Sequence, residues 1–334
     1  MFLELLRSET AASPDRRSAA LQGLRAYQQA RRPAARPPKP AIASAGRAVL
    51  RDYGGHGQPV VFVPSLINPP LVLDLARGNS LLRWLARQGV RPLLVDWGAP
   101  TADDRDMDIG GHVESLLVPL VRSLKRPPVL AGYCLGGTMA IAAANLVNVA
   151  GLVSIAAPWR FSGYAGQLDP ISSLWDEAHE TCQALGLVPM EVLQAGFWQM
   201  DPARTVAKFE RFGRLESRSA ATSAFVALED WANAGAPLTF AAGRQLFDDF
   251  LVADLPGRGK WQVGGRTASP EAVDAPMLSF VSTTDRIVPR ESAADFGTAR
   301  ELPLGHVGMI VGGRGRESLW QPLADWLKAL PAPR

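Results

Sequence analysis

Cys134 stands at the centre of Gly132-Tyr133-Cys134-Leu135-Gly136-Gly137. The form Gly-x-nucleophile-x-Gly sets a reactive side chain on a sharp turn between a strand and a helix. The glycines permit the close packing such a turn demands, and the residue after the nucleophile can aim its N–H at a substrate oxygen. The N-terminus of the following helix favours an anion at the sulfur. A thiol nucleophile needs a base, and the chain has four histidines, His56, His112, His179 and His306. His56 lies in a Gly-rich turn, His112 at a helix start and His179 in a Trp-rich helical region, each a polar or packing position. His306, in Leu304-Gly305-His306-Val307-Gly308, precedes the last helix, where a nucleophile–acid–His order places its base. Asp285 follows a strand in Phe280-Val281-Ser282-Thr283-Thr284-Asp285 and is the expected acid, which would fix the imidazole tautomer and stabilise the imidazolium. Asp254 and Asp274 are weaker rivals because neither follows a strand, and a turn residue paired to Arg286 is the plain structural alternative for Asp285. The chemistry of such a set is acyl transfer. A thiolate that attacks a thioester forms another thioester, so the acyl-enzyme keeps its reactivity toward a hydroxyl. Water is the competing acceptor.

Elements that could position these residues follow from the hydrophobic pattern. Pro59–Leu66, Arg91–Trp97, Pro128–Tyr133, Leu152–Ala156 and Met277–Val281 are apolar runs of strand length. Helices are expected over Ser80–Gln88, about Gly110–Lys125, about residues 135–148 and Ser318–Leu330. This alternation predicts an α/β fold with a mostly parallel central sheet covered by helices on both faces. Between Pro158 and Pro276 it stops, and more than a hundred residues of helical spacing rich in Trp and Phe intervene. Connections in such sheets need only a few residues, so the surplus is expected to be an inserted, mostly helical cap. The division is residues 1–47 as a basic helical arm and Pro-rich linker, 48–165 and 271–334 as the two parts of the core, and 166–270 as the cap.

Composition narrows the functional classes. The net charge of +3 hides an asymmetry, for residues 1–51 carry ten Arg and Lys against three acidic residues. The remainder is mildly acidic, which argues against a nucleic-acid-binding fold. The stretch Pro127–Trp159 holds 33 residues without an Asp, Glu, Lys or Arg, yet Gly132, Gly136, Gly137, Gly151, Pro158, Asn145 and Asn148 within it fit a buried strand–turn–helix–strand better than a membrane span. Cys134 and Cys182 form no disulfide framework, and Met1–Arg7 is too short and charged for a secretory leader, so the expected address is cytoplasmic. Cys182 is expected to be an ordinary buried thiol. No nucleotide, flavin or zinc spacing occurs, and neither a metal nor a cofactor is expected. Ser13-Pro14-Asp15 signals a helix start, with Leu21, Leu24 and Tyr27 on one stripe to about Ala30. Four prolines between Pro33 and Pro40 then make a semi-rigid linker. The arm is expected to be a solvated tether whose helix docks loosely on the fold, the alternative being an element that docks on an acidic partner subunit, a granule surface or polyanions. Removal of residues 1–46 is expected to spare turnover of a soluble substrate.

The elbow is similar to that of dienelactone hydrolases, but in that compact family the acid follows the Cys closely, whereas 151 residues separate Cys134 from Asp285. More of the chain resembles the polyhydroxyalkanoate synthases of the α/β-hydrolase superfamily, especially the short catalytic-subunit type. Val63-Pro64-Ser65-Leu66-Ile67-Asn68 with Val72-Leu73-Asp74-Leu75, Asn79–Leu85, Val95-Asp96-Trp97-Gly98, Ala156-Ala157-Pro158-Trp159, Asp285-Arg286-Ile287-Val288-Pro289 and Gly305-His306-Val307-Gly308 carry the resemblance in order. It covers roughly residues 48–165 and 270–334. It implies Cys134 as acyl carrier, His306 as general base, Asp285 as its orienting acid, and the backbone N–H groups of Leu135 and Ile67 as oxyanion hole. It further implies a 3-hydroxyacyl-CoA as substrate rather than cofactor, a polyester product, a homodimer or synthase partner subunit, and a granule surface as a place of work. The alternatives are a thioesterase or esterase delivering the acyl group to water, and a non-catalytic paralogue that binds granules or a partner. The cap departs from the family, whose acidic Trp-Asn stretch survives loosely as Asp230-Trp231-Ala232-Asn233-Ala234.

Overall fold

The structure is a computed structural model that describes residues 2–331. Its centre is a sheet of eight strands: β1 (Ala41–Ala45), β2 (Ala48–Asp52), β3 (Pro59–Val63), β4 (Arg91–Asp96), β5 (Val129–Tyr133), β6 (Gly151–Ile155), β7 (Met277–Ser282) and β8 (Thr298–Leu302). Their spatial order is β1-β2-β4-β3-β5-β6-β7-β8. The pairs β1–β2 and β2–β4 are antiparallel, and every other pair is parallel. The inner strands β3, β5 and β6 are buried throughout, which is why their sequences run apolar instead of alternating.

Successive residues of these strands serve opposite faces. Val61, Val63, Leu93, Leu130 and Leu152 join a core with the helical stretch 109–122 and with α4 (Leu135–Ala144), which follows α3 (Leu81–Arg87) in the chain. Val60, Phe62, Leu94, Ala131, Val153 and Phe280 join a second core with α3 and the closing helix, residues 316–329. The expected fold class and the expected inner strands are therefore present. Between β6 and β7 lies the helical insertion, built from α5 (Leu168–Leu185), α6 (Met190–Met200), α7 (Pro202–Phe212) and α8 (Ala220–Ala232).

The edges of the fold differ from expectation. The sheet begins at Ala41, not at residue 48, because Ala41–Ala45 hairpins onto β2 through Gly46. β2 and β8 were also unforeseen. Four of the five β8 residues are exposed, so no apolar run marks that strand.

The arm is docked more closely than the expected loose attachment. Its helices α1 (Phe2–Glu9) and α2 (Pro14–Gln29) lie on the cap. Ser13 caps α2 as expected, its Oγ accepting from the Arg16 N–H at 3.3 Å. The packed face is Ala20, Gly23 and Tyr27, while Leu21 is exposed. Small residues win here because α2 meets α7 backbone to backbone: a Cβ on Gly23 would lie 1.9 Å from the carbonyl oxygen of Phe209. Leu6 and Ala20 share a small core with Val206, and Phe2 sets its ring edge-on against Trp198 and Phe209. The Tyr27 hydroxyl donates to Asp230 at 2.6 Å, and Arg32 and Arg16 pair with Asp230 and Glu210.

Candidate active site

β5 ends at Tyr133 and α4 begins at Leu135, which leaves Cys134 on the turn with φ of 56° and ψ of −136°. A positive φ is costly for a residue with a Cβ. Backbone bonds hold it: the Cys134 N–H donates to Ile155 O at 3.0 Å, and the Cys134 carbonyl accepts from Gly137 N–H at 2.8 Å. The flanking glycines are sterically required, since a Cβ at Gly132 would lie 2.3 Å from Gly137 Cα and one at Gly136 would lie 2.0 Å from Val63 O.

Asp285 and His306 come from the loops after β7 and β8. His306 Nδ1 stands 2.6 Å from Asp285 Oδ2, and both side chains are buried. The other carboxylate oxygen accepts the Ile287 and Val288 N–H groups at 2.7 and 3.1 Å. Asp285 is thereby clamped in one orientation, and Arg286 is diverted to Asp201 of the cap at 2.7 Å. Tyr133 braces the base from below by donating its hydroxyl to His306 O at 3.3 Å, with the two rings 5.0 Å apart. Burial alone would lower the imidazolium pKa. The charges of Asp285 and Cys134, and hydrogen bonding to both, outweigh burial and raise it to about 10. The three side chains singled out from sequence are thus brought together, with Nδ1 bound to the acid and the other ring nitrogen left to serve the thiol.

The other candidates are placed elsewhere. His112 is held neutral by burial, with its pKa lowered to about 4 and its ring nitrogens engaged by Asp108 O at 2.7 Å and Arg47 at 2.6 Å. His179 packs on Trp175 and Phe240 in the cap, and His56 is exposed. Asp254 is buried as a backbone clamp for Phe161 N–H at 2.7 Å, and Asp274 is exposed. Cys182 is buried, which raises its pKa. Leu135 N–H opens α4 directly after Cys134. The Ile67 N–H, on the loop after β3, donates in this conformation to Ser65 Oγ at 3.2 Å.

Two cavities meet at Cys134, sharing Phe197 and Ile287 in their walls. One, of about 170 Å³, carries Ser65, Asn68, Gln194, Thr205 and Lys208 beside Cys134 and His306. The other, of about 100 Å³, runs under the cap between Phe161, Tyr164, Leu193, Phe247 and Leu251 and is almost wholly apolar. Gln194, Thr205 and Lys208 were missed from sequence. They lie on cap helices without a motif, and the one available signal was the i, i+3 spacing of Thr205 and Lys208 on a face shared with Phe209 and Phe212. Among the described residues, no group of three or more His, Cys, Asp or Glu side chains could hold a metal ion. No helix there is long and apolar enough to cross a membrane.

A strand-borne nucleophile, an acid and a His on successive later loops, and a helical cap over a mostly parallel sheet define an α/β hydrolase. The chain matches the alpha/beta hydrolase family over residues 60–314 and belongs to that family. The solved alpha/beta hydrolase GrgF from Penicillium sp. sh18 shares the fold with a TM-score of 0.51 at 17% identity, covering 87% of this chain and 97% of its own. Within the family the chain is PhaC-like. It is 29% identical over 290 residues to the poly(3-hydroxyalkanoate) polymerase subunit PhaC of Haloferax mediterranei, covering 80% of this chain and 58% of that protein. It is 27% identical to the subunit of the same name from Synechocystis, covering 80% of this chain and 77% of that one. The chain therefore spans less than two-thirds of the length of the Haloferax relative.

Proposed function

We propose that the chain is an acyltransferase of the polyhydroxyalkanoate synthase kind, taking 3-hydroxyacyl groups from CoA thioesters and passing them to a hydroxyl on a growing polyester. The observation that carries this reading is a thiol, Cys134, on the strained elbow beside a His306–Asp285 pair at 2.6 Å. The similarity to PhaC subunits supports the same choice of acceptor. The Cys134 thiolate attacks the thioester carbonyl, and the oxyanion is received by Leu135 N–H, with Ile67 N–H turning from Ser65 to join it. The carbon–sulfur bond to CoA breaks, and the His306 imidazolium protonates the departing thiolate. In the second half His306 takes the proton of the incoming hydroxyl, whose oxygen displaces Cys134 and regenerates its thiolate. Asp285 holds Nδ1 throughout, so that the opposite nitrogen does the proton transfers. Exchange of one thioester for another is near energetic balance, and transfer to an alcohol is downhill. Work at a polyester granule surface and assembly as a homodimer or with a partner subunit belong to the same reading.

Incubation with 3-hydroxybutyryl-CoA, with CoA release followed and products separated, tests it. Polymer accompanied by stoichiometric CoA is the expected outcome. Free 3-hydroxybutyrate would assign a thioesterase instead, and no CoA release at any acyl chain length would leave a binding protein.

A further inference from the structure

The two cavities at Cys134 differ in the polar groups they carry, and the one with more of them contains a charge that the proposed chemistry leaves unused. Lys208, on α7, lines it together with Thr205 one turn earlier. Its Nζ lies 2.6 Å from Glu229 Oε1, whose side chain is 7% exposed against 26% for the lysine. The same carboxylate oxygen accepts from Asn233 Nδ2 at 3.2 Å, and Asn233 Oδ1 in turn accepts from Gln194 Nε2 at 2.9 Å. A carboxylate this buried is tolerated only when paired, so the ammonium is fixed in place. An ammonium has three N–H donors, and among the described residues Glu229 is its one hydrogen-bonding partner. Lys208 is also the more exposed member of the pair.

Resting on the proposed acyl transfer, the thioester has two unlike halves that must diverge from the carbon attacked by Cys134. The acyl half matches the apolar cavity. The thiol half of an acyl-CoA carries amide carbonyls, a hydroxyl and, farther out, phosphates, all hydrogen-bond acceptors. We infer that Lys208 is a specificity residue that recognises the thiol half of the thioester, donating to its oxygens while Glu229 and Asn233 hold the ammonium in position. Gln194 closes the same network and, with Asn68, gives the chamber amide partners suited to the amides of that arm.

The test compares 3-hydroxybutyryl-CoA with 3-hydroxybutyryl S-ethyl thioester for the natural chain, Lys208→Arg and the double variant Lys208→Met/Glu229→Gln. The double variant avoids an orphaned buried carboxylate and keeps an acceptor for Asn233. Its kcat/KM ratio for the CoA over the ethyl thioester is expected to fall about tenfold or more, through KM, with Lys208→Arg restoring most of it. Equal losses on both thioesters, or an unchanged ratio, would overturn the inference. Calorimetric titration of CoA and of pantetheine into Cys134→Ala chains reads binding without turnover. Weaker CoA binding after Lys208→Met/Glu229→Gln supports the contact, and loss for pantetheine as well places it on the amides instead of the phosphates. A natural chain that binds CoA through Lys208 yet turns over no thioester would sink the synthase reading and keep this one. Turnover of hydroxyacyl-CoA with a ratio indifferent to Lys208 would do the reverse.

Discussion

Cys134, Asp285 and His306 hang from the ends of β5, β7 and β8, and β5 and β7 are laddered to neighbours on both sides. The side chains that shape the polar chamber opposite them, Gln194, Thr205, Lys208 and Trp231, sit on cap helices held by side-chain contacts. On the sheet side, backbone hydrogen bonds and required glycines fix the geometry, and little can move without breaking the ladder. On the cap side, positions depend on an ion pair, on the Trp231 indole N–H donating to Pro69 O at 2.7 Å, and on the arm that straps α7 and α8 from outside. Under the proposed acyl transfer, reactivity belongs to the rigid half, and access and selectivity to the adjustable half.

That contrast can be broken at graded positions. The largest effect is expected at the elbow. Cys134→Ala should reduce CoA release by roughly a thousandfold or more, as removal of a nucleophile does in other covalent enzymes. Continued turnover in that variant would remove the rigid half from the chemistry.

Next comes the acid. Asp285→Asn removes the charge that most opposes burial of the imidazolium, and a loss of about a hundredfold or more in the acylation rate is expected. The sign of its pH effect follows from the raised pKa of His306. The imidazolium persists through neutral pH and is lost as pH rises through about 10, and the stability it contributes is complete below the unfolded pKa, about 6.5, and disappears across the same climb. NMR titration should place the His306 ring near 10 in the natural chain and clearly lower in Asp285→Asn. Titration of the natural chain at or below 6.5 would show that the Asp285 pair does not govern the base.

The arm should give the smallest effect and a different kind. Removing residues 1–34 preserves β1 but uncovers Val206 and Phe209 and frees Asp230 from Tyr27 and Arg32. The exposed ion pairs contribute at most about 1 kcal/mol each, so most of the loss is apolar packing. Tm is expected to fall, by roughly 1–2 °C for each kcal/mol lost in a chain of 334 residues, with KM raised severalfold and kcat changed less. Unaltered Tm and KM would return the arm to a mere tether.

The same division explains what the sequence made legible. The elbow and the acid loop were readable because each couples an apolar strand run to a residue type with a chemical role, and the His loop because it stands just before the closing helix, in the order that one architecture requires. β1, β2 and β8 escaped: β1 and β8 are edge strands, which need no apolar run, as the exposed residues of Thr298–Leu302 show, and β2 is a short strand whose residues are only partly buried. The closeness of α2's docking escaped because its tightest contacts are made by Ala20 and Gly23, while the more conspicuous Leu21 is exposed. Lys208 and Glu229 are 21 positions apart on separate helices, and no periodicity links them. Only packing of α7 against α8 brings them together.

Acylation of Cys134 itself is the claim on which the rest depends. The chain can be mixed with a saturated acyl-CoA lacking the 3-hydroxyl, so that elongation is impossible, then quenched in acid and digested for mass spectrometry. One acyl group on the peptide bearing Cys134, formed in step with CoA release and absent from Cys134→Ala, is the expected result. CoA release with Cys134 unmodified, or an acyl group retained elsewhere in Cys134→Ala, would contradict it.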